Sequence, residues 1–315
     1  PLYVLEKDDE TVPLGGAQEW WLHHSLASLS NSLERLGAPL VLRRGEAANI
    51  LKEIVDETGA GSVLWNRRYV PAQIKRDAAL KSDLRDSALT VESFDGQLLH
   101  EPTQLKTGSG GPYRVYTPFW RSFSESCHPR LPIGAPKELA GFKAKLVSDD
   151  LKSWSLLPTK PDWAGGISKE WTPGEDGARA NVAAFIDEVG DYPTGRNLPS
   201  VEGTSRLSPH LHFGEVSPAY VWHRVASSNG NAEIFLKELI WRDYAHIQIC
   251  EKPAYGSDNA RGDFDRMDWR DLREAKADFT AWKRGRTGYP IVDAGMRQLW
   301  TTGWMHNRVR MIAAS

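Results

Sequence analysis

Residues 38–66 read APLVLRRGEAANILKEIVDETGAGSVLWN, and this stretch decides the architecture of the first third of the chain. Leu40–Leu42 is a short apolar run of strand type, Glu46–Thr58 has a helical pattern ended by Gly59, and Val63–Trp65 is a second strand. The same alternation extends outward in both directions. Upstream lie a strand at Leu2–Leu5 and a helix over Gln18–Leu36. In that helix Trp21, Leu22, Leu26, Leu29, Leu33 and Leu36 recur at helical spacing, and Gly37 supplies the stop. Downstream, Pro71–Leu84 reads as a helix and Leu89–Val91 as a strand. Strands and helices alternating at this pitch imply a parallel sheet with right-handed crossovers. Such sheets bind ligands at the carboxyl ends of their strands. The glycine-rich dinucleotide fingerprint and the P-loop are both missing from the sequence.

The pattern dissolves between Pro102 and Pro173, where Gly108, Gly110, Gly111, Pro112, Pro129 and Pro132 begin a long series of breakers. A connection of that length is unusual inside one compact domain and reads as a crossing between two. Beyond it the chain is helical. The helices expected are Gly174–Val189, Ala232–Cys250, Ala275–Lys283, Ile291–Thr301 and Met305–Ser315, with Ser208-Pro209 and Ser217-Pro218 as capped helix starts. The fold class is therefore α/β plus all-α. Residues 1–105 form a Rossmann-like parallel domain, 106–173 an interdomain linker, and 174–315 a helical domain.

Net charge is −2, which gives no whole-chain case for a polyanionic partner. The distribution is uneven: residues 1–203 hold 23 Lys and Arg against 28 Asp and Glu, while 204–315 hold 16 against 13. From Lys283 onward there are six cations and only Asp293 opposing them. A solvated helix surface and a phosphate-attracting face explain that imbalance equally well. Two cysteines, Cys127 and Cys250, form no disulfide framework or metal spacing and suit a reducing cytoplasm. No apolar run reaches the roughly 20 residues of a membrane helix. Thirteen tryptophans are far above the usual share, which directs attention to base stacking and electron transfer as well as packing.

Three clusters carry chemistry. Gly203-Thr204-Ser205-Arg206-Leu207-Ser208-Pro209 sets three hydroxyls and an arginine before a helix start, as a phosphate site or simply as a capped terminus. His210 and His212 lack a third ligand and read as structural. Glu238, Trp241 and Arg242 share one helical face, where Glu238 and Arg242 are spaced to pair. They form either a surface ion pair beside a packed tryptophan or a stacking platform with a carboxylate. In the last cluster Trp304, Asn307 and Met311 share a face with Arg310 beside them, lining a pocket or packing a core.

Taken together and in order, Thr-Ser-Arg-Leu-Ser at 204–208, Glu-Leu-Ile-Trp-Arg at 238–242, Gly-Tyr-Pro-Ile-Val-Asp at 288–293 and Trp-Met-His-Asn-Arg-Val-Arg at 304–310 resemble the photolyase/cryptochrome family. Within it the likeness is greatest to class I cyclobutane pyrimidine dimer photolyases. Glu19–Leu26 and Tyr113–Phe119 extend it over the first half. The resemblance implies an α/β domain linked to a helical FAD domain. It implies light-driven repair, in which reduced FAD gives an electron to a flipped-out pyrimidine dimer in damaged DNA. Tyr192 and Thr204, Ser205, Arg206, Leu207 and Ser208 would contact FAD. Phe235 keeps an aromatic where tryptophan is common, and Arg310 would sit beside the flavin ring. Glu238, Trp241, Asn307 and Met311 would line the lesion pocket, with Glu238 and Asn307 as the catalytic hydrogen-bonding pair. Arg196 and Arg308 would hold DNA phosphates. Trp269 matches the outermost tryptophan of an electron-transfer chain. Glu92 matches a carboxylate that binds a folate antenna in some members, and the antenna chromophore would be methenyltetrahydrofolate or a deazaflavin. A monomer in the cytoplasm is expected.

Two other readings stand beside this one. A cryptochrome-type blue-light photoreceptor shares fold and flavin, although the pocket residues favour repair and His306-Asn307 differs from the paired histidines of (6-4) photolyases. A family-free reading is an α/β nucleotide-binding enzyme with a helical lid. The chain opens inside an apolar strand and stops at Met311-Ile312-Ala313-Ala314-Ser315 without a helix stop. Further residues are therefore expected at both ends, and 1–315 alone is expected to fold marginally and hold FAD weakly.

Overall fold

The computed structural model describes residues 1–6, 13–87, 89–228, 230–259 and 261–315. The first domain runs β1 (Leu2–Leu5), α1 (Gly16–Arg35), β2 (Val41–Arg44), α2 (Ala47–Thr58), β3 (Ser62–Asn66), α3 (Pro71–Asp86) and β4 (Thr90–Phe94). Each expected element is present, with ends within a few residues of those read from periodicity. β1 pairs with β2 in parallel, Leu2 opposite Val41 and Leu5 opposite Arg44. β3 pairs with β4 in the same sense, Ser62 opposite Thr90 and Asn66 opposite Phe94. Gly59 ends α2 in the left-handed region at φ 64°, the conformation that only glycine adopts without strain. Leu22 and Leu26 of α1 bury against Leu40 and Leu42, each fully buried side chain contributing about 1.5–3 kcal/mol.

The breaker-rich region contains more structure than its composition indicates. α4 (Tyr116–Ser126) buries Phe119 and Phe123 against Ile240, Tyr244 and Ile247 of the second domain. Further along, Trp154 and Leu156 join the first-domain core beside Leu22 and Leu42. The crossing chain is thus fastened to one domain at its start and to the other further on.

After α5 (Ile167–Glu170), at the end of the crossing chain, the second domain runs α6 (Glu175–Glu188), α7 (Tyr192–Gly195), α8 (Ser208–His212), α9 (Pro218–Ala226), α10 (Glu233–Glu251), α11 (Lys276–Lys283), α12 (Pro290–Thr302) and α13 (Asn307–Ala313). Val182, Phe185, Val221, Val225, Phe235 and Leu239 sit in its main core, drawn from α6, α9 and α10. Ser217 caps α9 as expected, accepting from the Ala219 N–H. Ser208 does not cap α8. Leu207 occupies that place, and Ser208 is already inside the helix.

Trp304 is likewise not on a helical face shared with Asn307 and Met311. The chain is extended at His306, whose Nδ1 accepts from the Arg308 N–H, so α13 starts only at Asn307. Among the described residues no helix is long and apolar enough to cross a membrane.

The two domains are pinned by neighbouring residues of α10. Asp243, fully buried, accepts from the Leu99 and His100 N–H groups at 2.8 and 3.0 Å. Arg242 donates to the Gln97 carbonyl at 2.6 Å. That contact, with a second to the Leu211 carbonyl, replaces the Glu238–Arg242 pairing expected from their spacing.

Candidate cofactor and base-binding site

A cavity of about 820 Å³ opens where α8, α10 and α13 meet the carboxyl end of β3. That volume lies within the range of cofactor sites. Tyr192, Arg196, the whole run from Thr204 to Ser208, Phe235, Glu238, Asn307 and Arg310 line it. Residues from four separated stretches of sequence, expected to serve one site, do meet around one space.

The 204–208 loop is built by a close backbone crossing. A Cβ on Gly203 would fall 2.6 Å from the Gly195 carbonyl carbon, so only glycine lets the two segments pass. Three residues later Arg206 is left-handed at φ 50°, a conformation costing a residue with a Cβ roughly 1–2 kcal/mol. Its side chain offsets that cost. The guanidinium pairs with Glu170 at 3.0 Å and Glu202 at 3.4 Å and lies over the Trp304 ring at 4.7 Å. Arg206 therefore braces the loop, while Thr204 and Ser205 stay partly open beside the cavity. Leu207 is anchored in the core at 1% exposure.

Behind the loop, α8 is fixed by a buried polar chain. Glu215 accepts from Trp21 Nε1 at 2.9 Å and the Gly174 N–H at 2.7 Å. His210 Nδ1 lies 2.5 Å from the same carboxylate, and its Nε2 lies 3.2 Å from Asn181 Nδ2. His210 is thereby held between Glu215 and Asn181 in the interior.

The floor is aromatic. Phe235 packs on Phe185 at 4.5 Å and on Tyr192 at 5.4 Å, edge to face. Burial pushes the Tyr192 hydroxyl up to about 12, so it stays protonated. Arg196 lies 5.2 Å over the Tyr192 ring and pairs with Glu238 at 2.6 Å. Glu238 thus sits at the edge of the cavity in contact with Arg196. Trp241 stands one helical turn further on, 44% exposed, and does not line the cavity itself.

Other expected positions lie outside the cavity. Arg308 is on the outer side of α13, donating twice to Asn197 Oδ1 at 3.0 and 2.6 Å, with the exposed Met311 beside it. Trp269 is 68% exposed. Glu92 is exposed on β4 and lines neither this cavity nor a smaller one of about 290 Å³ between Trp21, Trp171 and Trp304.

Sequence reasoning missed the first domain's contribution to the lining: Arg68, Tyr69, Val70, Gln73 and Gln97. The signal was the Arg67-Arg68-Tyr69 run directly after β3, at the strand end where parallel sheets present ligands. Arg68 is held there by Asp77 and Glu6. His246 was also missed. Its Nδ1 donates to the Arg242 carbonyl at 2.9 Å, and burial lowers its pKa, leaving a neutral imidazole on the lining.

The lining offers hydroxyls at one end, aromatic rings at its floor and a paired carboxylate at its edge. Those groups suit an elongated ligand carrying phosphates and a planar ring. Comparison with known proteins points the same way. Residues 1–137 match the family model for DNA photolyase, and residues 235–315 match the FAD binding domain of DNA photolyase. A deoxyribodipyrimidine photo-lyase of Agrobacterium fabrum is 53% identical over all of this chain and 66% of its own length. Cryptochrome-1 of Arabidopsis thaliana is 33% identical over 96% of this chain and 46% of its own. The crystal structure of a class III photolyase from Agrobacterium tumefaciens superposes with a TM-score of 0.95 at 53% identity, covering 100% of this chain and 65% of that one. That relative is described as class III. The chain spans about two thirds, or less, of the length of these relatives. With both domains matched in chain order and the fold superposing throughout, the chain belongs to the photolyase/cryptochrome family.

Proposed function

We propose that this chain forms part of a class III-type photolyase that repairs cyclobutane pyrimidine dimers in DNA with blue light. One observation carries the reading. Glu238 and Asn307 line the cavity that also holds the 204–208 loop, and an exposed tryptophan stands one turn beyond Glu238. When bound, the flavin supplies the redox chemistry, its reduced form lending a light-excited electron that opens the cyclobutane ring.

The protein's own part is position and electrostatics. Thr204, Ser205 and the neighbouring backbone present donors for the phosphates of FAD. Phe235 and Tyr192 give the cavity floor its planar, apolar contacts, while Arg310, anchored on the Met305 carbonyl at 3.0 Å, brings a cation to the lining. Photolyases are among the enzymes that extrude their target base, and an extruded base needs a stacking face and hydrogen bonds at its edge. Trp241 supplies the first, Glu238 and Asn307 the second. Arg196 and Arg308 anchor the flanking phosphates. Met311 borders the lesion and Trp269 serves as the outer electron carrier.

The same proposal divides the chain at 1–105, 106–173 and 174–315, supported by separate clusters around Leu22 and around Val182. It takes the protein as a cytoplasmic monomer. It keeps an antenna chromophore as a second cofactor, with the exposed Glu92 as a candidate contact.

Binding to short duplexes tests the reading. Trp241→Ala is expected to weaken affinity for dimer-containing DNA by about 5- to 100-fold, the worth of one base–aromatic stack, and to leave undamaged DNA nearly unaffected. Equal losses on both would remove Trp241 from lesion recognition.

A further inference from the structure

Trp241 does not stand alone. The Tyr116 ring lies on it with centroids 3.5 Å apart and planes 9° from parallel. Tyr116 comes from α4, at the start of the crossing chain, 125 positions before Trp241. Its hydroxyl donates to the Lys237 carbonyl at 2.7 Å. Lys237 lies four residues before Trp241, so this is the carbonyl that faces the Trp241 N–H in a regular helix. Tyr116 is therefore tied both to the indole and to the helical turn that carries it. Tyr244 closes the arrangement, edge-on to each ring at 5.7 Å. Phe119, 1% exposed, seats Tyr116 from below at 6.5 Å.

An exposed tryptophan on a helix ordinarily samples several rotamers, and ordering it on binding costs affinity. Here one face of the indole is already covered and only the opposite face is left for a ligand. We propose that Tyr116 is a positioning residue for base recognition: it fixes the indole of Trp241 in one orientation and makes it a single-sided platform, so that an extruded pyrimidine completes a three-layer stack of Tyr116, Trp241 and base. This rests on the reading of Trp241 as the base-stacking face. Tyr116 itself touches no ligand. Its effect is confined to the step in which a base leaves the duplex and meets Trp241.

The test measures affinity for a dimer-containing duplex and for its undamaged counterpart, using wild type, Trp241→Ala, Tyr116→Leu and Tyr116→Phe, with thermal melting of each. Tyr116→Leu is expected to lower dimer affinity about three- to tenfold, the worth of an aromatic pair, with undamaged affinity unchanged. Tyr116→Phe, which keeps the ring and loses only the hydroxyl, should retain most of the preference. In a Trp241→Ala background Tyr116→Leu should have no further effect, because its whole action passes through the indole. Should Tyr116→Leu fail to fold, Tyr116→Met fills the volume without a planar face and carries the same expectation.

If Trp241→Ala removes the dimer preference while Tyr116→Leu and Tyr116→Met keep it, the positioning role is overturned and the base-stacking reading survives. Additive losses in the double variant, or equal losses on both DNAs, overturn it too. If Trp241→Ala leaves the preference intact, both fall together.

Discussion

The 203–208 loop and helix α10 line the same cavity but are assembled in opposite ways. The loop lines it with consecutive residues, Thr204 to Ser208, shaped by the Gly203 crossing and the left-handed Arg206. α10 carries Phe235, Glu238 and Arg242 on the cavity with Trp241 and Asp243 beside them, and almost every one is set by a partner far away in sequence. Glu238 meets Arg196, Trp241 meets Tyr116, and the Arg242–Asp243 step grips Gln97 to His100 of the first domain. The loop is thus written in one contiguous motif. The α10 arrangement exists only once the two domains and the crossing chain have docked.

Three changes break or sharpen that contrast. The largest effect is expected at Asp243. Burial raises its pKa from the ordinary 3.8 to about 7, against the opposing pull of Arg242 and two backbone N–H groups. A carboxyl that binds its proton more tightly in the folded state stabilises fully below about pH 4 and loses that contribution as pH rises through about 7. Asp243→Asn keeps an oxygen for the Leu99 and His100 N–H groups and cannot ionise. Its stability relative to wild type should therefore climb between pH 4 and pH 8, by up to about 4 kcal/mol at 1.36 kcal/mol per pH unit. Melting curves at several pH values check this, and a constant difference would mean the carboxyl titrates normally.

A smaller effect is expected at the loop. Gly203→Ala drives a methyl into the Gly195 backbone, an overpacking that costs about 1–3 kcal/mol. Flavin retention after gel filtration should fall, with little change in how Trp241 discriminates damaged DNA. If discrimination collapsed in step with flavin, the loop and α10 would not be independent.

The smallest effect is expected at the rim. Arg196 and Glu238 are only partly buried, with 15% and 36% of their side-chain areas exposed. A double-mutant cycle with Arg196→Gln and Glu238→Gln should give a coupling of about 1 kcal/mol or less, shrinking in high salt. A coupling insensitive to salt would place the pair in a drier setting than its exposure indicates.

The same contrast explains what was legible in the sequence. Strand and helix order in the first domain followed from apolar periodicity and glycine stops, because each element buries one face locally. The 204–208 motif was legible because its chemistry is contiguous. α4 was not: Pro118 and the glycines before it read as loop, while Phe119 and Phe123 become a helical face only against α10. Tyr116 as the partner of Trp241 had no local signal at all. Trp304 was placed on α13 by counting residues, and the extended His306 that interrupts the count is not one of the residues that usually announce a helix start. The Glu238–Arg242 pairing failed for a related reason, since spacing allows an ion pair but tertiary partners decide it.

Repair itself is the central claim, and one measurement addresses it most directly. Flavin-loaded, reduced protein is mixed with dimer-containing oligonucleotide, and intact pyrimidines are counted after blue light and after an equal time in the dark. The account predicts light-dependent recovery of pyrimidines and none in the dark. Bound flavin with no recovery in light would contradict it and leave a blue-light photoreceptor as the better reading of the same fold.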